Sequence, residues 1–105
     1  MDRFAELLIR QRQAAGFPTA YAFYHRNGGR GKFNFTFAYY AKIERGKALP
    51  RGEWLPPLLT LLKLSPSSPA RRDILLAYLR DLLGDDDIFD GHFIPLLKSP
   101  AAAAE

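Results

Sequence analysis

The spacing of apolar positions divides the chain into helical stretches parted by glycine and proline. From Arg3 to Ala15, Phe4, Leu7 and Leu8 recur on a 3.6-residue period with Arg and Gln elsewhere, which predicts an amphipathic first helix stopped at Gly16. Phe17-Pro18-Thr19 reads as a turn into a second helix, with Thr19 as its cap and Ala20, Ala22 and Phe23 as packing positions. Asn27-Gly28-Gly29-Arg30-Gly31 then breaks regular structure, because clustered glycines make a continuous helix too costly in backbone entropy. Beyond Pro50–Gly52, Trp54, Leu55, Leu58, Leu59, Leu61 and Leu62 form the broad apolar face of another helix. Proline has no N–H and clashes with the preceding turn, so Pro56 and Pro57 belong at that helix's start, with Glu53 to Leu55 as a separate turn. Ser68 caps a last helix that Pro69 opens and Gly84 stops after Leu83. Its apolar residues, from Ile74 to Leu83, cover so much of the circumference that two buried faces are expected.

Two readings compete between these stretches. Lys32 to Tyr39 alternates aromatic with small or polar residues at a period of two, a strand signature, and Asn27-Gly28 is a good hairpin turn, giving a hairpin from Tyr21 to Tyr39. Against it, Thr36 can cap a helix on which Ala38, Tyr39, Lys42 and Ile43 follow at helical spacing, ending at Gly46 with Arg45 in the last turn. The helix is the preferred reading, which makes five helices in an all-α fold. Residues 1–84 then form the domain and residues 85–105 an extension: an acidic connector, the apolar stretch Phe93 to Leu97, and a low-complexity tail.

Charge sharpens the picture. Residues 1–52 carry ten basic and three acidic side chains, residues 53–105 five basic and eight acidic ones, so a net +4 hides a strongly basic first half. A half containing Arg26, Arg30, Lys32, Lys42, Arg45, Lys47 and Arg51 suits a polyanion partner. The absence of cysteine excludes disulfide scaffolds, zinc fingers, iron–sulfur sites and cysteine nucleophiles, and fits a reducing compartment. No apolar run approaches the roughly 18–20 residues of a membrane span, and Met1-Asp2-Arg3 leads straight into an amphipathic pattern, so a soluble, cytoplasmic protein is expected.

One segment has a family likeness. Tyr39-Tyr40-Ala41-Lys42-Ile43-Glu44-Arg45-Gly46-Lys47-Ala48-Leu49-Pro50 closely resembles the end of the recognition helix and the following linker in Cro/repressor-type (XRE) helix-turn-helix domains. Leu55, Leu58 and Leu62 fall on that family's fourth-helix apolar positions, and Arg12 to Phe17 is similar to the end of its first helix. The likeness covers roughly residues 4–65 and departs from the pattern in two places. Arg26 to Phe35 is longer than the family's tight turn, and Pro18-Thr19 and Phe37-Ala38 stand where it favours Ser-Gln and polar residues.

The resemblance implies a five-helix Cro/repressor-like domain that binds double-stranded DNA as a transcriptional regulator, with helix 36–45 in the major groove. Thr36 would meet a phosphate at the helix N-terminus, and Phe37, Ala38, Ala41 and Lys42 would face the bases. Tyr39 and Tyr40 point about 100° apart on a helix, so one packs inward and the other reaches a phosphate; Tyr40 is counted among the contacts. Arg26, Asn27, Arg30, Lys32 and Asn34 form a flexible basic turn suited to phosphate or the minor groove, and Thr19 and Lys47 complete the candidate set. The resemblance further implies a structural pair between Arg12 and Glu44. A homodimer through the last helix and Phe93–Leu97 would double the reading surface.

Other chemistries lack their residues. Lys32 is followed by Phe33 and Arg26 replaces the first glycine, so the glycine-rich turn is no phosphate-binding nucleotide loop. His25 and His92 are isolated, and Asp85-Asp86-Asp87 with Asp90 lacks the glycine and distal glutamate of a calcium loop. No catalytic residue, metal or cofactor is expected. Two other functions compete with DNA regulation: a protein-interaction or antitoxin-like module on the same scaffold, and a single-strand binder stacking bases on Phe33, Phe35 and Phe37 of a hairpin.

Overall fold

Three side-chain caps set where helices begin. The hydroxyl of Thr19 accepts the Ala22 N–H at 3.0 Å, that of Thr36 the Tyr39 N–H at 3.2 Å, and that of Ser68 the Arg71 N–H at 3.5 Å. The computed structural model describes residues 3–33 and 35–84. These form α1 (Phe4–Ala14), α2 (Ala20–Arg26), α3 (Arg30–Phe33), α4 (Phe37–Glu44), α5 (Leu55–Leu61) and α6 (Pro69–Leu83), with a 3-10 turn at Gly52–Trp54. No strand occurs among the described residues, so the fold is all-α and the hairpin reading fails. Asn34 and the stretch Phe93–Leu97 lie outside them.

The sequence reading missed α3, and burial explains why it forms. The glycine cluster does turn the chain: Gly28 has φ +100°, and a Cβ there would lie 2.6 Å from Lys32 Cγ. Gly29 donates back to the Tyr24 carbonyl at 2.9 Å and accepts from the Phe33 N–H at 3.1 Å, closing one helical turn. Phe33 ends that turn with its ring stacked on Tyr24 at 5.0 Å and edge-on to Phe23 at 5.6 Å. Burying one phenylalanine is worth about 1.5–3 kcal/mol, more than the roughly 1 kcal/mol that Gly31 costs inside a helix. Phe35, in the bend before Thr36, also enters the core, so the alternating aromatics pack inward from a bend and form no ladder.

Core side chains come from every layer. α1 packs against α6 and α4, and α2 against α4. Phe4, Leu8, Phe23, Tyr40, Ile43, Leu59 and Ile74 are the fully buried centre. The backbone N–H of Phe4, left without a partner by its position in the first turn of α1, donates to Asp81 of α6 at 3.0 Å. On α5 the prolines occupy the first turn, after a separate 3-10 turn, as their missing N–H groups require.

Three tyrosine hydroxyls fasten the connections. Tyr24 donates to the Phe35 carbonyl, Tyr39 to the Leu49 carbonyl at 2.9 Å, and Tyr78 to the Pro50 carbonyl at 2.7 Å. On α6, Ile74, Ala77 and Tyr78 are buried, whereas Leu79, Leu82 and Leu83 are exposed. The three leucines form an outer apolar face of α6 that no described residue covers. None of the described helices is long and apolar enough to cross a membrane.

Candidate nucleic-acid interface

Helical period fixes what α4 presents. Tyr40 and Ile43 point into the core, so Ala38, Ala41, Lys42 and the following Arg45 share the opposite face. Ala38, Lys42 and Arg45 are exposed, Ala41 is half-buried, and Phe37 lies half-buried at the helix start beside the exposed Thr36. Tyr40 has no exposed surface and cannot reach a phosphate, which corrects its place among the contacts. Tyr39 does not replace it, because its hydroxyl is engaged by Leu49.

The long turn contains a helical turn, α3. Asn27 is half-buried and donates through its side-chain amide to the Phe23 carbonyl at 2.7 Å, at the end of α2. Arg26, Arg30 and Lys32 remain exposed around the turn, with Lys47 exposed beyond the other end of α4. Thr19 is exposed while its hydroxyl caps α2.

The charges these elements contribute are one-signed up to Ile43, while Glu53 of the 3-10 turn shares a groove with Lys32. From Leu7 to Ile43 the sequence contains no carboxylate side chain, a signal the charge count by halves had blurred. The acid that ends this stretch, Glu44, is held by Arg12 of α1: Nε lies 2.9 Å from Oε2 and the second guanidinium nitrogen 3.0 Å from Oε1. Both side chains are more than nine-tenths buried, and Arg12 also donates to the Phe17 carbonyl at 2.9 Å. The pairing implied by the family likeness is thus present and keeps the Glu44 charge off the surface. The next acid, Glu53, is exposed and pairs with Arg51 at 3.2 Å, a contact of little energetic weight in water.

Tyr40 lies beside this pair. Its hydroxyl is buried without an acceptor in hydrogen-bonding geometry. Burial first, and the neighbouring Glu44 charge second, push its ionisation far above the ordinary tyrosine value, against a smaller opposing effect of Arg12. The unfolded chain's tyrosine ionises near pH 10 while the folded one stays protonated, so this contribution to stability is complete below about pH 10 and is lost above it. Tyr78 shifts upward as well, by burial and then by the proximity of Tyr39. Tyr40→Phe is expected to flatten the alkaline fall in stability by about 1.4 kcal/mol per pH unit, measured by urea unfolding between about pH 9 and pH 11.5. An unchanged slope would show that Tyr40 titrates normally.

Two residues the sequence reading passed over complete the surface. Tyr21 and His25, one helical turn apart on the outer side of α2, lie 4.2 Å apart between ring centroids. Phe37 closes the group at 5.6 Å from Tyr21 and 5.7 Å from His25. The signal was an i, i+4 aromatic pair off the Phe23–Tyr24 core side. Among the described residues no three His, Cys, Asp or Glu side chains converge as a metal site would need. Compared with family models, curated proteins and solved structures, the chain matches none.

Proposed function

We propose that the chain is a sequence-specific regulator that binds double-stranded DNA, with α4 in the major groove and α2 bracing it against the backbone. The observation that carries this reading is the basic surface of α2, α3 and α4, whose residues carry no carboxylate before Glu44 and expose Arg26, Arg30, Lys32 and Lys42, with Arg45 exposed just beyond. Phosphate neutralisation needs such a surface, and a short helix with a small-residue outer face fits a groove. The resemblance of Tyr39–Pro50 to the recognition helix and linker of Cro/repressor-type domains supports the same orientation, as does the Arg12–Glu44 pair.

Electrophoretic mobility shifts with duplex and single-stranded DNA, at low and moderate salt, test it. Duplex preference with a steep salt dependence is expected. No binding at low salt would overturn it in favour of a protein-interaction module. Preference for single strands would overturn it too, and the burial of Phe33 and Phe35 argues against that outcome.

A homodimer belongs to the same proposal, because one helix offers few base contacts. Leu79, Leu82 and Leu83 on the outer side of α6 supply the apolar surface such an interface uses. Light scattering at micromolar concentration is expected to give twice the 11.9 kDa chain mass. A monomer mass would refute pairing.

A further inference from the structure

The pattern of groups on α2 and α4 selects what those helices can read in a groove. This step rests on the duplex-binding reading above. In the major groove, adenine is recognised by the paired donor and acceptor of Asn or Gln, cytosine by a carboxylate, guanine by Arg or Lys, and the pyrimidine C5-methyl by apolar contact. Neither Ala20–Arg26 nor Phe37–Glu44 contains an Asn or Gln, and their one carboxylate, Glu44, is buried against Arg12. Amide and carboxylate readout are therefore missing from both helices. What they present instead is a large, exposed aromatic surface. Tyr21 is 63 % exposed, and its ring lies against His25 at 4.2 Å and Phe37 at 5.6 Å between centroids. Phe37 is itself backed by Tyr24 at 5.6 Å, and Ala38 and Ala41 extend the apolar strip along α4. The exposed cations Arg26, Arg30, Lys32 and Lys42 lie on the same two helices and on α3 between them, a combination that matches a polyanion whose inner edge carries small apolar groups.

We infer that the seam between α2 and α4 is a reader of pyrimidine C5-methyl groups, with Tyr21 and Phe37 as the residues that set this preference. Thymine and 5-methylcytosine both display that methyl in the major groove, while deoxyuridine and cytosine lack it. Burying one such group is worth about fourfold in affinity.

Alternating copolymer duplexes isolate the methyl because their charge is identical. The full chain is titrated, at one salt concentration, with poly(dA-dT) against poly(dA-dU), and with poly(dG-dC) against its 5-methylcytosine counterpart, and binding is read by fluorescence anisotropy of the labelled protein. The methylated member is expected to bind more tightly by about fourfold for each methyl contacted. A preference in the first pair alone assigns the site to thymine, and a preference in both assigns it to the methyl in either base. In Tyr21→Ala and Phe37→Leu the ratio of methylated to unmethylated affinity should fall toward one, whatever the change in overall affinity. Far-UV circular dichroism verifies that each variant keeps its helices. Equal affinities for methylated and unmethylated duplexes, both bound, would overturn the inference and leave duplex binding intact. A preference that both variants retain would also overturn it, by tracing the effect to DNA shape. Failure to bind any duplex would remove the underlying reading as well.

Discussion

Replacing Glu44 by alanine is expected to destabilise the fold by about 3–5 kcal/mol, the cost of leaving a buried guanidinium charge without its partner. Arg12 is 5 % exposed and keeps the Phe17 carbonyl, but no carboxylate, after the substitution. The two hydrogen bonds lost are the charged links that tie the end of α4 to α1. Urea unfolding followed by circular dichroism measures the loss. A midpoint that barely moves would mean that water reaches Arg12 once Glu44 is gone. The double replacement Arg12→Met with Glu44→Leu should recover most of the stability, because well-packed apolar residues often replace a buried ion pair without penalty. Recovery in the double variant also separates the cost of an orphaned charge from a cost of lost packing.

The second large effect concerns affinity. Arg30→Ala with Lys32→Ala removes two exposed cations from α3 while leaving Phe33, which anchors the turn, in place. Each phosphate contact contributes a slope of about 0.9 in log affinity against log salt, or about eightfold at 0.1 M relative to 1 M. The double variant is expected to lose about 60-fold in duplex affinity at 0.1 M salt and to flatten the slope by about 1.8. All duplex sequences should weaken alike, since phosphates carry no sequence information. An unchanged slope would show that the turn does not touch DNA.

How much of this was legible in the residues depends on how local each signal was. Thr19, Thr36 and Ser68 announced helix starts because a cap acts on a backbone N–H three residues away, and each does so. Arg12 and Glu44 were legible only through the family likeness, since nothing in either residue's neighbourhood points to a partner 32 positions off. The turn after α2 misled. Its glycines argue against helix and its aromatics argue for a strand, and both arguments are outweighed by the burial of Phe33 and Phe35, which depends on where Tyr24 and Tyr40 sit. The choice between Tyr39 and Tyr40 failed for the same reason: a 100° difference in direction is known from the sequence, but the side on which the core lies is set by α1 and α2. Tyr21 and His25 were invisible as a site because their third member, Phe37, comes from another helix.

The tyrosine hydroxyls that fasten the connections bear on the thermodynamics of any complex α4 makes. One of them pins the segment entering this helix, at Phe35, and two pin the segment leaving it, at Leu49 and Pro50. Fixing a free backbone residue costs about 1–2 kcal/mol in conformational entropy, and at Phe35, Leu49 and Pro50 that ordering accompanies folding. A partner docking there meets connections already fastened at Phe35, Leu49 and Pro50. The heat-capacity decrement on association should therefore track the apolar area buried at the contact, without the added decrement that accompanies a segment folding onto its target.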